Sequence, residues 1–201
     1  MKKNIPENLF ILEMANNHMG DVGHGVELIN AFGKVCKKYP FNFALKFQYR
    51  ELKTFIHPQM IKRHDIKHIK RFSETKLKKT DFDYFIKAVK KQNFYTISTP
   101  FDEQSVTLIE KQNLDIIKIA SCSFNDWPLL ERVVENNKPI IASTAGASEK
   151  DIDQIVSFFQ HRKKEFAIMH CVAEYPTPNR NMNLAQINYL KKRYPNVRIG
   201  F

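Results

Sequence analysis

Short apolar runs recur along the chain, and each closes on small or polar residues. They are Leu9–Met14, Phe43–Gln48, Phe94–Thr99, Ile116–Ser121, Ile140–Thr144, Phe166–Cys171 and Val197–Phe201. Each is short and rich in Ile, Phe or Val, which predicts buried parallel strands. Helical patterns lie between most of them. Residues 24–37 carry apolar side chains at helical spacing. Thr80 stands where it can cap the helix that follows from Asp81, and Asp102 where it can cap the helix over 103–112. Asn125 or Asp126 can start another helix with Pro128 in its first turn. Ser148 with Asp151 reads as a capping-box variant, and residues 184–193 supply the last helix. Strands that alternate with helices must pair in parallel, because each crossover returns the chain to the same edge.

Seven such strands fit an open doubly wound sheet or a (β/α)8 barrel. The polar positions separate the two. Glu13, Lys46, Gln48, Thr99, Ser121, Ser143 and His170 sit at or near the C-terminal ends of different strands. A barrel gathers all its strand ends around one mouth, whereas an open sheet spreads them along a line. The expectation is an α/β fold of the (β/α)8 TIM-barrel type, incomplete, with about seven strands in a single domain over residues 1–201.

Composition narrows the class. Hydrophobic residues make up 43% and charged residues 26% of the 201 positions, which excludes a collagen-like or wholly disordered chain. Cys36, Cys122 and Cys171 are too few for a disulfide scaffold. Cys171 reads as a small buried hydrophobe. Neither a signal peptide nor an apolar run near the roughly 20 residues of a membrane span is visible, so a cytoplasmic protein with no membrane partner is expected. The net charge of +11 is uneven: residues 62–79 hold eight Lys or Arg against Asp65 and Glu74. That run suits a solvated loop and helix face, a substrate-steering rim, or a nucleic-acid surface; no aromatic-interleaved pattern supports the last.

Some residues look chemical rather than structural. Glu13 lies inside an apolar run, where a carboxylate costs several kcal/mol unless it is paired or placed at a wet end. Lys46 is a candidate partner. Asn16, Asn17 and His18 follow directly, as turn chemistry or as hydrogen-bonding groups for a polyhydroxy substrate. Alternation puts Lys46 and Gln48 on one side of their strand. Lys118 repeats the situation, with Ser121 ending its strand. An inward lysine needs an anion, which an anionic ligand would supply; a Schiff-base role is the alternative. Ser98-Thr99-Pro100 and Ser143-Thr144-Ala145-Gly146 are hydroxyl clusters of the sort that hold phosphate in βα loops. His170 and Cys171 end the sixth strand. No second histidine or acid stands at metal-ligand spacing, so no metal site can be built from these residues.

Taken in order, Glu13-Met14-Ala15-Asn16-Asn17-His18-Met19-Gly20, Leu45-Lys46-Phe47-Gln48, Ile97-Ser98-Thr99-Pro100-Phe101, Ile117-Lys118-Ile119-Ala120-Ser121, Ala142-Ser143-Thr144-Ala145-Gly146 and His170 through Pro178 resemble the sialic acid (N-acetylneuraminate) synthase family. The resemblance implies a (β/α)8 barrel that condenses phosphoenolpyruvate with an N-acetylated amino sugar such as N-acetylmannosamine. Products would be a nine-carbon 2-keto acid and phosphate. It implies that Lys46, Thr99, Lys118, Ser121 and Ser143 hold phosphoenolpyruvate, that Glu13 is the active-site carboxylate, and that Gln48 and Tyr175 contact the sugar. Asn16, Asn17, His18 and His170 complete the expected substrate-binding set. A divalent metal, Mn or Mg, is implied for the full-length enzyme, held by two histidines expected beyond residue 201, with none held by this chain alone. Ala173 replaces an Asn that touches phosphate in some members. The family's C-terminal antifreeze-like domain, through which its members often dimerise, is expected to be missing; a homodimer stays open, and the 201-residue chain alone is expected to lack turnover. Two alternatives stand beside this reading: another phosphoenolpyruvate–sugar condensing enzyme or a Schiff-base aldolase, and a basic nucleic-acid-binding domain.

Overall fold

A computed structural model describes residues 4–201. Strands and helices alternate throughout, every strand pairs in parallel within its unit, and the described residues carry seven strands of the (β/α) barrel fold. The described residues gather into two compact units, Pro6–Asp115 and Ile116–Phe201, with Asn4 and Ile5 belonging to the second. Each is described by itself.

The N-terminal unit runs β1 (Leu9–Glu13), α1 (Val22–Cys36), β2 (Asn42–Tyr49), α2 (Leu52–Phe55), α3 (Lys67–Glu74), α4 (Asp81–Lys91), β3 (Tyr95–Pro100) and α5 (Glu103–Lys111). In β2, Leu45, Phe47 and Tyr49 are buried on one side of the pleat, while Lys46 and Gln48 are half-buried on the other, which they share with the buried Ala44. The buried side meets α4. Phe47 stacks on Phe85 with ring centroids 6.0 Å apart, and Phe82 stands edge-on to Phe85 at 5.8 Å. Fully burying such a ring contributes about 1.5–3 kcal/mol. Helix α1 buries Gly25, Ile29, Gly33 and Cys36, and Asp21 caps it by accepting from the His24 amide at 2.8 Å. Gly25 is there because of Phe85: a Cβ at that position would come within 2.4 Å of the ring.

The C-terminal unit runs β4 (Ile116–Ile119), α6 (Trp127–Val134), β5 (Ile140–Ser143), α7 (Glu149–His161), β6 (Phe166–Met169), α8 (Ala185–Arg193) and β7 (Arg198–Gly200). Its core is mostly aliphatic: Ile117, Ile119, Leu130, Val133, Ile141, Ile155 and Ile168 are all buried. The capping box at Ser148 and Asp151 forms in both directions. Asp126 caps α6 by accepting from Leu129, with Pro128 in the first turn. Helix α8 is tied to α7 by a bidentate Arg193–Asp153 pair that Tyr194 joins at 2.6 Å.

Several expectations need correction. The Thr80 side chain caps nothing, and α4 starts without a side-chain cap; the Asp81 carboxylate instead accepts from the Lys78 amide at 2.8 Å, in the turn before the helix. A residue already in helical conformation, as Thr80 is, does not present its hydroxyl to the N2 or N3 amide. Strand β4 ends at Ile119, and Ser121 starts a 3-10 turn over Ser121–Ser123. Strand β6 ends at Met169, so His170 and Cys171 lie just past it. Cys171 is half-buried rather than part of the core, because it sits in the loop that leaves the strand. Residues 52–55 and 67–74 form two helices between β2 and α4, and all eight Lys and Arg of residues 62–79 are exposed, as a solvated face requires.

Candidate functional site

Two clusters of strand-end side chains form, one in each unit. In the N-terminal unit, the β1–β2 register sets Glu13 directly beside Lys46. Their side chains make an ion pair, with Lys46 14% and Glu13 40% exposed. The second carboxylate oxygen of Glu13 accepts from the Ala15 amide at 2.9 Å. A charged strand residue is thus stabilised by its neighbour, by a backbone donor and by solvent at the wet end of the strand. Thr99 lies opposite Gln48 in the β2–β3 register and is buried.

Around Gln48 the chain leaves a cavity of about 350 Å³, bordered among others by Asn16, His18, Gln48, Arg50, Phe72 and Lys76. Gln48 accepts from Arg50 Nη2 at 2.6 Å. Arg50 is itself held over the rings of Phe101 at 4.0 Å and Phe72 at 4.3 Å. A guanidinium over an aromatic face is attracted by the ring quadrupole and loses little hydration, so this geometry holds its fork in place. The sequence pattern did not single out Arg50. The available signal was its spacing of two from Gln48, which puts both on one side of an extended segment.

The Asn16-Asn17-His18 turn divides in role. Asn16 borders the cavity, and Asn17 is exposed. His18 is 4% exposed, and its Nδ1 accepts from the Gly20 amide at 3.1 Å. Its ring packs against Phe85 and edge-on to Phe82. Burial, helped by the nearby His24, pulls its pKa down to about 4, so the imidazole is neutral at pH 7. Its principal contacts are with the core.

In the C-terminal unit, Lys118 is 8% exposed in the middle of an otherwise apolar strand. Its ammonium donates to Ser143 Oγ and to the Ile119 carbonyl. Ser143 closes β5, the strand paired with β4, so parallel pairing brings the hydroxyl to the lysine. Ser121 Oγ accepts from the Ala145 amide at 3.1 Å, which ties the two βα loops together. An ammonium, two hydroxyls and loop backbone in one place form a cradle of the kind that can hold a small anion, since each can donate to oxygen.

His170 and Tyr175 fall outside that cradle's hydrogen bonds. His170 Nε2 meets the Met182 carbonyl at 2.8 Å, and its ring stacks on Phe201 at 5.8 Å. Tyr175 is fully exposed. Among the described residues no three His, Cys, Asp or Glu side chains cluster to hold a metal ion. The described residues therefore do not provide a site that fits the metal implied by the resemblance. No helix among them is long and apolar enough to cross a membrane.

Known proteins carry the same frame. A solved structure described as a putative spore coat polysaccharide biosynthesis protein E from Chromobacterium violaceum superposes with a TM-score of 0.94 at 54% identity, covering 96% of this chain and 58% of that one. The N-acetylneuraminic acid synthetase of Leptospira borgpetersenii, solved with citrate, superposes with a TM-score of 0.83 at 28% identity, covering 98% of this chain and 65% of that one. The N,N'-diacetyllegionaminic acid synthase of Campylobacter jejuni is 28% identical over 199 residues, 94% of this chain and 58% of its own length. The chain thus spans little more than half the length of the curated relatives that it matches along nearly all of its own residues. Residues 42–201 match the model of the NeuB family, and the chain belongs to that family.

Proposed function

We propose that this chain carries the substrate-holding part of a synthase that joins phosphoenolpyruvate to an N-acetylated amino sugar. The product would be a nine-carbon 2-keto acid of the sialic-acid type, with release of phosphate. The observation that supports this most is the buried Lys118, hydrogen-bonded to Ser143 beside the Ser121–Ala145 contact, in a chain of the NeuB family.

In this reading Lys118, Lys46 and the hydroxyls of Thr99, Ser121 and Ser143 hold the phosphate and carboxylate of the enol. The enol electron pair at C3 forms a bond to the sugar aldehyde carbon, whose oxygen takes up a proton. Positive character develops at C2 and water adds there, its proton passing to the Glu13 carboxylate. The adduct then breaks its C2–O bond to phosphate as the new hydroxyl gives its proton to the departing phosphate, and a ketone forms. The cationic groups stabilise charge that is present throughout, while Glu13 handles the proton of the attacking water.

Calorimetric titration with phosphoenolpyruvate tests the reading. The unsubstituted chain should bind it, and Lys118→Met should weaken binding about tenfold or more, the usual loss for a charge-assisted hydrogen bond. Absence of binding by the unsubstituted chain, or full affinity in Lys118→Met, would overturn the proposal. Phosphate release in the presence of N-acetylmannosamine and manganese then tests the reaction itself.

A further inference from the structure

Arg50 leaves the extended segment on the same side as Gln48, two residues earlier, and its Nη2 lies 2.6 Å from Gln48 Oε1. A guanidinium has donors only, so the oxygen end of the Gln48 amide must be the end that faces Arg50. Phe101 and Phe72, at 4.0 and 4.3 Å, keep the guanidinium in place, with Phe55 at 5.9 Å. The nitrogen end of the amide donates to no protein group among the described residues. Both residues, together with Asn16, border the cavity of about 350 Å³.

We propose that Arg50 is a positioning residue that locks the Gln48 amide so that its NH2 end is offered to the sugar as a donor, which selects an acetamido group over the corresponding free amine. The inference rests on the proposed function, because the sugar is the partner of Gln48 in that reading. A freely turning glutamine could donate to an acceptor or accept from a donor. With its oxygen turned to Arg50, the end left open is the NH2, which donates. An acetamido group supplies a carbonyl oxygen that accepts. The free amine of the same sugar is an ammonium, which has three donors and no acceptor. It would meet a donor end to end, beside a fixed positive guanidinium. Leaving a buried polar group without its partner is the strong form of discrimination available to a binding site.

The test is the ratio of two affinities, measured by calorimetry with the full chain and saturating phosphoenolpyruvate. The sugars are N-acetylmannosamine and mannosamine. The unsubstituted protein should prefer the acetylated sugar. Arg50→Met frees the amide, and the ratio should narrow about tenfold, the value of one hydrogen bond. Gln48→Glu keeps an Arg50 partner but presents a carboxylate oxygen, and should narrow the ratio at least as far. A purely structural role for Arg50 would weaken both sugars alike and leave the ratio unchanged. That outcome in both variants overturns this inference alone. Should Arg50→Met fail to fold, Gln48→Glu decides by itself. If the unsubstituted protein binds neither sugar, the proposed function and this inference fall together.

Discussion

The two units solve the same problem with different side chains. The N-terminal unit packs its sheet against α4 through rings: Phe47, Tyr49 and Phe85 are fully buried, with Phe82 closing the cluster. The C-terminal unit relies mainly on branched aliphatic residues, with Phe124, Phe159, Phe166 and Tyr194 as its large buried rings. A ring concentrates burial on one residue and demands a matching hollow, which is why Gly25 stands opposite Phe85. Aliphatic side chains spread the same burial over many positions. The lysines differ in parallel. Lys46 lies against a carboxylate at a wet strand end, whereas Lys118 lies in a dry strand and reaches a hydroxyl. Ion pairing suffices in the first place; in the second, close hydrogen bonding must offset desolvation.

The contrast can be broken first at Phe85. Replacing it by Ala should destabilise the protein by about 3–5 kcal/mol, because the ring is fully enclosed and its loss leaves a cavity. Ile155→Val, at an equally buried aliphatic site, should cost only about 0.5–1.5 kcal/mol. Urea denaturation compares the two. Similar losses would mean that burial in the N-terminal unit is as dispersed as in the C-terminal one.

A smaller effect comes from His18, which belongs to the same ring cluster. Its folded pKa, about 4, lies below the unfolded value of 6.5. Between those values the unfolded chain binds the proton that the folded one refuses, so stability is full above pH 6.5 and falls as pH drops toward 4. The loss should be on the order of 2 kcal/mol. Protonation would also turn Nδ1, now accepting from Gly20, into a donor facing a donor. Denaturation at pH 7 and pH 4.5 should show the loss, and His18→Gln should make the dependence shallower. An unchanged slope would show that the cluster does not exclude the charged ring.

The smallest effect tests the C-terminal unit. Ser148→Ala removes one half of the capping box on α7 and should cost about 1 kcal/mol. A loss approaching that of Phe85→Ala would show that this unit depends on a single local feature after all.

Much of the architecture was legible along the chain. The apolar runs located all seven strands to within a few residues, because buried strands need an uninterrupted apolar stretch. The capping residues Asp102, Asp126 and Ser148 were legible for a similarly local reason: a cap acts on amides two or three residues away. Thr80 misled, because its backbone is already helical and its hydroxyl does not reach the first amides of α4. The Glu13–Lys46 pair could be anticipated, since both are charges inside apolar runs and each needs an opposite partner.

Other relations required the folded molecule. That Ser143 receives Lys118, that Gly25 makes room for Phe85, that Arg50 rests on Phe101 and Phe72, and that Tyr175 stands in solvent depend on residues brought together by packing, mostly across long separations in sequence. The order of apolar and polar residues determined which segments become strands and helices, because that choice is made by local geometry and burial of one face. Which polar end meets which partner was decided by the tertiary structure, because strand register and helix packing set distances that no spacing along the chain encodes.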